Sequence, residues 1–77
     1  MNVKIYYCKP WGFHKEASRI EEELSTNFKE IDVELVEGKL GQFTIYLNDK
    51  KIYNKIKLIG RLPKKMEIVG LIRNKLN

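Results

Sequence analysis

The chain of 77 residues has a single cysteine, Cys8, and that scarcity removes more chemistry than any other feature. One thiol cannot close an internal disulfide, so the fold has no covalent staple and fits a reducing compartment. Nor can one thiol run a dithiol cycle, in which a second sulfur of the same chain resolves the mixed disulfide. There is one histidine, His14, and no Cys/His cluster, which excludes a zinc site and leaves no metal or other cofactor to expect. The five glycines make no phosphate-cradling loop, because Gly38 and Gly41 lack its spacing and context. The carboxylates show no pairing suited to acid/base work. No apolar run reaches the length of a transmembrane helix. The first residues enter a strand-like pattern directly, without the charged, apolar and small-residue regions of a signal sequence. The expectation is a cytoplasmic protein that makes no use of a membrane.

The length predicts one domain over residues 1–77, with a modest core and a net stability of about 5 kcal/mol. Fifteen Lys and Arg against ten Asp and Glu give a formal charge of +5, unevenly spread. Residues 50–65 carry Lys50, Lys51, Lys55, Lys57, Arg61, Lys64 and Lys65 and no acid. Residues 16–37 carry most of the acids and only two bases, Arg19 and Lys29. Such a split could steer an anionic partner. The plainer reading is the solvated surface of a lysine-rich chain. With Tyr53 alone interleaved and no known binding motif, nucleic acid is not the expected partner.

Hydrophobic periodicity predicts six elements. Val3, Ile5 and Tyr7 alternate with Lys4 and Tyr6, a strand expected to be buried on both faces. Pro10 and Gly12 mark a turn. Phe13, Ala17, Ile20, Leu24 and Phe28 then form one apolar stripe on a helix ending near Phe28. Ile31, Val33 and Leu35 alternate with acids, a strand with one wet face. Phe43, Ile45 and Leu47 make a third strand, Asn48-Asp49 a tight turn, and residues 52–56 a fourth strand closing a hairpin. Pro63 suits the first turn of a last helix bearing Met66, Ile68, Val69, Leu71, Ile72 and Leu76. The order is β-α-β-β-β-α, with a first crossover long enough for a parallel unit. It outlines a small α/β sandwich of a four-stranded mixed sheet and two helices. Split βαβ folds share much of this alternation.

Cys8 falls at the junction of the first strand and first helix. A thiol there feels the helix's positive end, which favours thiolate, and Lys9 would add to that. The loop is expected to expose the sulfur. His14 could reach it as a base or ion-pair partner, or be an ordinary surface histidine. Cys8 itself could instead be a small buried hydrophobe at a strand end.

The run Tyr7-Cys8-Lys9-Pro10-Trp11-Gly12-Phe13 resembles the opening of the selenoprotein W-like (Rdx) family: aromatic, Cys, two residues, selenocysteine or Cys, Gly, aromatic. Val36-Glu37-Gly38-Lys39-Leu40-Gly41-Gln42-Phe43 is similar to the family's glycine-bearing approach to its third strand. Lys57-Leu58-Ile59-Gly60-Arg61-Leu62-Pro63 is similar to its lysine-rich approach to the last helix. The resemblance implies a thioredoxin-like fold and a thiol- or selenol-based redox role, with glutathione or a protein thiol or disulfide as partner. It maps Cys8 onto the family's first cysteine and candidate nucleophile. Lys9, Pro10, Gly12 and His14 become candidate loop contacts. Trp11 occupies the place of the selenocysteine or second cysteine, and indole is neither a nucleophile nor a resolving group. Three readings of Trp11 follow: a replacement that turned a redox domain into an interaction module, a packing residue of the loop, or a UGA selenocysteine codon read as tryptophan. The redox reading is then monothiol exchange at Cys8, with an outside thiol completing the cycle.

Overall fold

The computed structural model describes residues 1–56 and 60–76. Lys57, Leu58 and Ile59, part of the third similar segment, lie outside the described residues. The elements follow the expected order: β1 (Asn2–Tyr7), α1 (His14–Asn27), β2 (Asp32–Glu37), β3 (Gln42–Leu47), β4 (Lys50–Ile56) and α2 (Glu67–Leu76). The sheet runs β2-β1-β3-β4. β1 pairs parallel with β2 and antiparallel with β3, and β3 pairs antiparallel with β4. No helix among the described residues is long and apolar enough to cross a membrane.

Period-two alternation decides which strand residues face the helices. Val3, Ile5 and Tyr7 of β1 and Phe43, Ile45 and Leu47 of β3 point to one side. There they form a single core with Ala17, Ile20 and Leu24 of α1 and Ile68, Val69 and Ile72 of α2. Both helices therefore cover the same face. That corrects the expectation for β1, whose second face was read as buried: Lys4 is exposed and Tyr6 half-buried. Among the described residues no helix packs on that side of the sheet.

The hairpin turn is as expected. Asn48 and Asp49 both take positive φ, 48° and 69°, the twist that a two-residue hairpin loop requires. Beyond it the β3–β4 register shifts once: Tyr46 opposes Lys51 but Ile45 opposes Tyr53, leaving Ile52 as an extra residue.

α2 begins later than Pro63 suggests. Met66 has φ 64°, a left-handed conformation that interrupts any helical run reaching back to Pro63. The helix starts at the next residue. The Glu67 carboxylate accepts from the Lys64 N–H at 2.9 Å and from Arg61 at 2.7 and 3.0 Å. These bonds, the Arg61 guanidinium first, hold the Glu67 carboxyl down from 4.5 to about 2. Arg19 of α1 fastens the same segment to the body, donating to Glu16, to Glu23 and, at 2.8 Å, to the Pro63 carbonyl.

Candidate functional site

The β1–α1 turn, residues 9–13, is built from backbone first. The Gly12 N–H donates to the Lys9 carbonyl at 2.9 Å and the Phe13 N–H to the Cys8 carbonyl at 3.2 Å. Gly12 takes φ 77° with open space where a Cβ would stand, so glycine is needed for its dihedral rather than for room. Phe13 is the N-cap of α1 rather than part of its stripe and makes no side-chain cap bond. Its ring instead meets Phe43 of the core edge-on, at 6.1 Å and 72°.

Cys8 follows the last residue of β1 and is fully buried, at 0 % exposure. This overturns the expectation that the loop exposes the sulfur. The turn folds back on the strand end instead of standing off it, because residues 12 and 13 bond to residues 9 and 8. The neighbours expected to act on the thiol are engaged elsewhere. The Lys9 ammonium lies 3.5 Å from Glu37 at the end of β2, an exposed pair of small energetic weight. The exposed His14 packs its ring edge-on against Tyr7, at 5.4 Å and 65°. No hydrogen bond joins it to Cys8 among the described residues. Pro10 and Gly12 are exposed on the turn.

Trp11 is 41 % exposed and packs edge-on against Phe13, with centroids 6.0 Å apart and planes at 83°. Trp11, Phe13 and Phe43 thus form an aromatic series running from the surface into the core. The Lys55 ammonium caps it, 5.7 Å from the Trp11 centroid and 5.1 Å from that of Phe13. Cys8 stands where the turn begins and Trp11 on its exposed side. The structure adds Lys55 and Phe43, which sequence reasoning missed. Their juxtaposition is a matter of register, Phe43 facing Lys55 across β3–β4, and a strict alternation from the hairpin turn does not find it. Among the described residues no group of three His, Cys, Asp or Glu could hold a metal ion.

The Rdx family model matches residues 2–74. A crystal structure of a protein from Bordetella parapertussis is similar, with TM-score 0.84 and 25 % identity, covering 96 % of this chain and 95 % of its own. A selenoprotein W-related protein from Vibrio cholerae is similar in fold, with TM-score 0.80 and 22 % identity, over 99 % of this chain and 96 % of its own. No curated protein matches the chain. The expected thioredoxin-like α/β fold is borne out.

Proposed function

The chain belongs to the Rdx family, and we propose that this redox-related protein works by monothiol exchange at Cys8. The observation that carries the reading is placement: the chain's one thiol stands where β1 ends and the turn to α1 begins. In the first step the Cys8 thiolate attacks a disulfide, forming a mixed disulfide and expelling the other sulfur as a thiolate. In the second, an outside thiolate attacks that mixed disulfide, releases Cys8 as thiolate and leaves with the carried sulfur as a new disulfide. In sum one outside thiolate enters, one thiolate leaves, one disulfide is exchanged for another, and the chain ends unchanged. Glutathione fits both outside roles, and a protein thiol or disulfide is the other candidate partner. The reducing cytoplasm suits this cycle.

Burial of Cys8 adds a condition. A disulfide needs in-line access to the sulfur, so the surroundings of Cys8 must open before exchange, and in this reading the adjoining turn, residues 9–13, is what opens. What holds them is two backbone hydrogen bonds, the exposed Lys9–Glu37 pair, the Trp11 contacts and the packing of Phe13 on Phe43. The test is incubation of the folded protein with oxidised glutathione, followed by intact-mass measurement. The expected result is one glutathione adduct, absent in Cys8→Ser and reversed by added thiol.

The second reading is an interaction module without redox turnover, favoured by the same burial together with the exposure of Trp11. An indole half in solvent is a common anchor in protein interfaces. A folded protein that forms no adduct over hours of exposure to oxidised glutathione rejects the exchange reading and leaves this one. Sequencing codon 11 of the source gene decides whether Trp11 is encoded as such: UGG ends the selenocysteine reading.

A further inference from the structure

The sheet face away from the helices carries a hydrogen-bond chain whose direction can be worked out link by link. The Lys39 backbone N–H can only donate, so Gln42 turns its Oε1 toward it, at 2.8 Å. Gln42 is then left with Nε2, which donates to Thr44 Oγ1 at 3.0 Å. Thr44 is 1 % exposed, and it donates its own hydroxyl proton to Asn54 Oδ1 at 2.7 Å. Asn54 takes the Thr44 proton on Oδ1, and its Nδ2 donors have no partner among the described residues. Gly38 makes this possible: a Cβ there would stand 2.3 Å from Gln42 Oε1.

A cavity of about 240 Å³ lies over this chain, walled by Lys39, Lys51, Asn54 and Tyr46 and by no acid. The Lys39 and Lys51 ammonium groups and the Asn54 Nδ2 are donors without a partner among the described residues, and such donors favour an oxyanion. The neighbouring cavity toward β2, about 430 Å³, is lined by Asp32, Glu34 and Asp49 and by one base, Lys4. The anion-attracting ground is therefore bounded, and it lies over β3 and β4. Beside it, half-buried Tyr46 meets Tyr6 of β1 edge-on at 5.6 Å and 76°. An open sheet face has no second layer to enclose a small molecule. A polymer that offers a phosphate and a π-face at each step can instead lie across it.

We propose that this face, through Lys39, Lys51, the Asn54 amide and Tyr46, binds the backbone phosphate and an adjoining base of a single-stranded nucleic acid. The site is separate from Cys8 and independent of the exchange reading. The test is fluorescence anisotropy of a labelled eight-nucleotide oligo(dT) at rising salt, with far-UV circular dichroism verifying the fold of each variant. Saturable binding at low salt is expected, unchanged in Cys8→Ser. Asn54→Asp keeps the oxygen that Thr44 needs but replaces the donors with an acceptor, and should weaken binding at least about tenfold. Tyr46→Leu should weaken it about tenfold by losing the stacking face. Lys51→Gln should reduce the slope of log K against log salt by about 0.7, the value for one phosphate contact on a single strand. Lys15→Gln, which removes the same charge from the helical layer, should leave that slope nearly unchanged. The proposal is overturned by absence of binding at low salt or by binding indifferent to Asn54→Asp and Tyr46→Leu. It is also overturned if inorganic phosphate or thymidine monophosphate competes at the concentrations at which the oligonucleotide binds, since the site would then serve a small anion.

Discussion

If residues 9–13 must open to admit a disulfide, then removing what holds them shut should speed the reaction of Cys8. Trp11→Ala is the cleanest perturbation, because it leaves the backbone bonds of the turn and the Lys9–Glu37 pair in place. The ring loses an edge-on contact with Phe13, about 0.5–1.5 kcal/mol for such pairs, and a cation–π contact with Lys55, about 0.5–1 kcal/mol at an exposed site. Opening separates both, so the variant should open more readily by about 1–2.5 kcal/mol. When closing is faster than labelling, the observed rate scales with the open population. A shift of 1.4 kcal/mol is then about tenfold in rate. The assay is labelling of Cys8 by an aromatic disulfide reagent under native conditions, with urea unfolding of both proteins measured alongside. Labelling of the natural protein should be faster than global unfolding allows, and Trp11→Ala should accelerate it about tenfold, beyond any change in global stability. A rate within twofold of the natural protein refutes the gating argument. So does labelling that tracks global unfolding in both proteins, because the thiol would then be reached only through the unfolded chain.

Gly12→Ala tests the turn itself. Its φ of 77° costs a side chain roughly 1–2 kcal/mol even in open space, and a domain of this size loses roughly 4–8 °C of Tm per kcal/mol. Differential scanning calorimetry should show that loss, and an unchanged Tm would mean the turn relaxes freely. Glu67→Gln tests the anchor of α2. Because the carboxyl is held below its usual value, to about 2, its stabilisation is complete above about pH 4.5. That stabilisation fades as the pH falls toward 2. The variant should therefore melt a few degrees lower at pH 7 and together with the natural protein at pH 2. A constant difference across that range would assign the effect to something other than charge.

What was legible in the sequence was whatever repeats with a period. The stripe Ala17, Ile20, Leu24 and the alternations of β1 and β3 are local signals, and they located the elements and most of the core. The Asn48-Asp49 hairpin was legible because two positive φ values suit those residue types. Sidedness was not. Nothing in the alternation of Val3, Ile5 and Tyr7 says whether one layer or two will cover the strand, and Tyr6 stands half-buried on the sheet's outer face. The start of α2 was misplaced because Pro63 is a good first-turn residue, while the left-handed Met66 carries no periodic signature. At the site, the thiol and its turn were legible, but the surroundings of Cys8 were not. Lys9 is adjacent in sequence yet answers to Glu37 on another strand, and His14 answers to Tyr7. Burial and charge pairing depend on tertiary packing, which neighbouring letters do not encode.

The extra residue in β4 reaches further than its size suggests. Continued evenly from the Asn48-Asp49 turn, the hairpin would set Asn54 against Phe43 and Lys55 against Gln42. The observed pairs are Asn54 with Thr44 and Lys55 with Phe43. One surplus position, Ile52, inverts the phase of everything beyond it, because a slip of one residue exchanges the two sides of a strand. Lys55 owes its place over Trp11 to that inversion, and Asn54 its place beside Thr44. Two surfaces on opposite sides of the sheet thus share a single point of failure. Were Ile52 drawn into the ladder opposite Ile45, the aromatic series would lose its cation and the hydrogen-bond chain its terminal amide together.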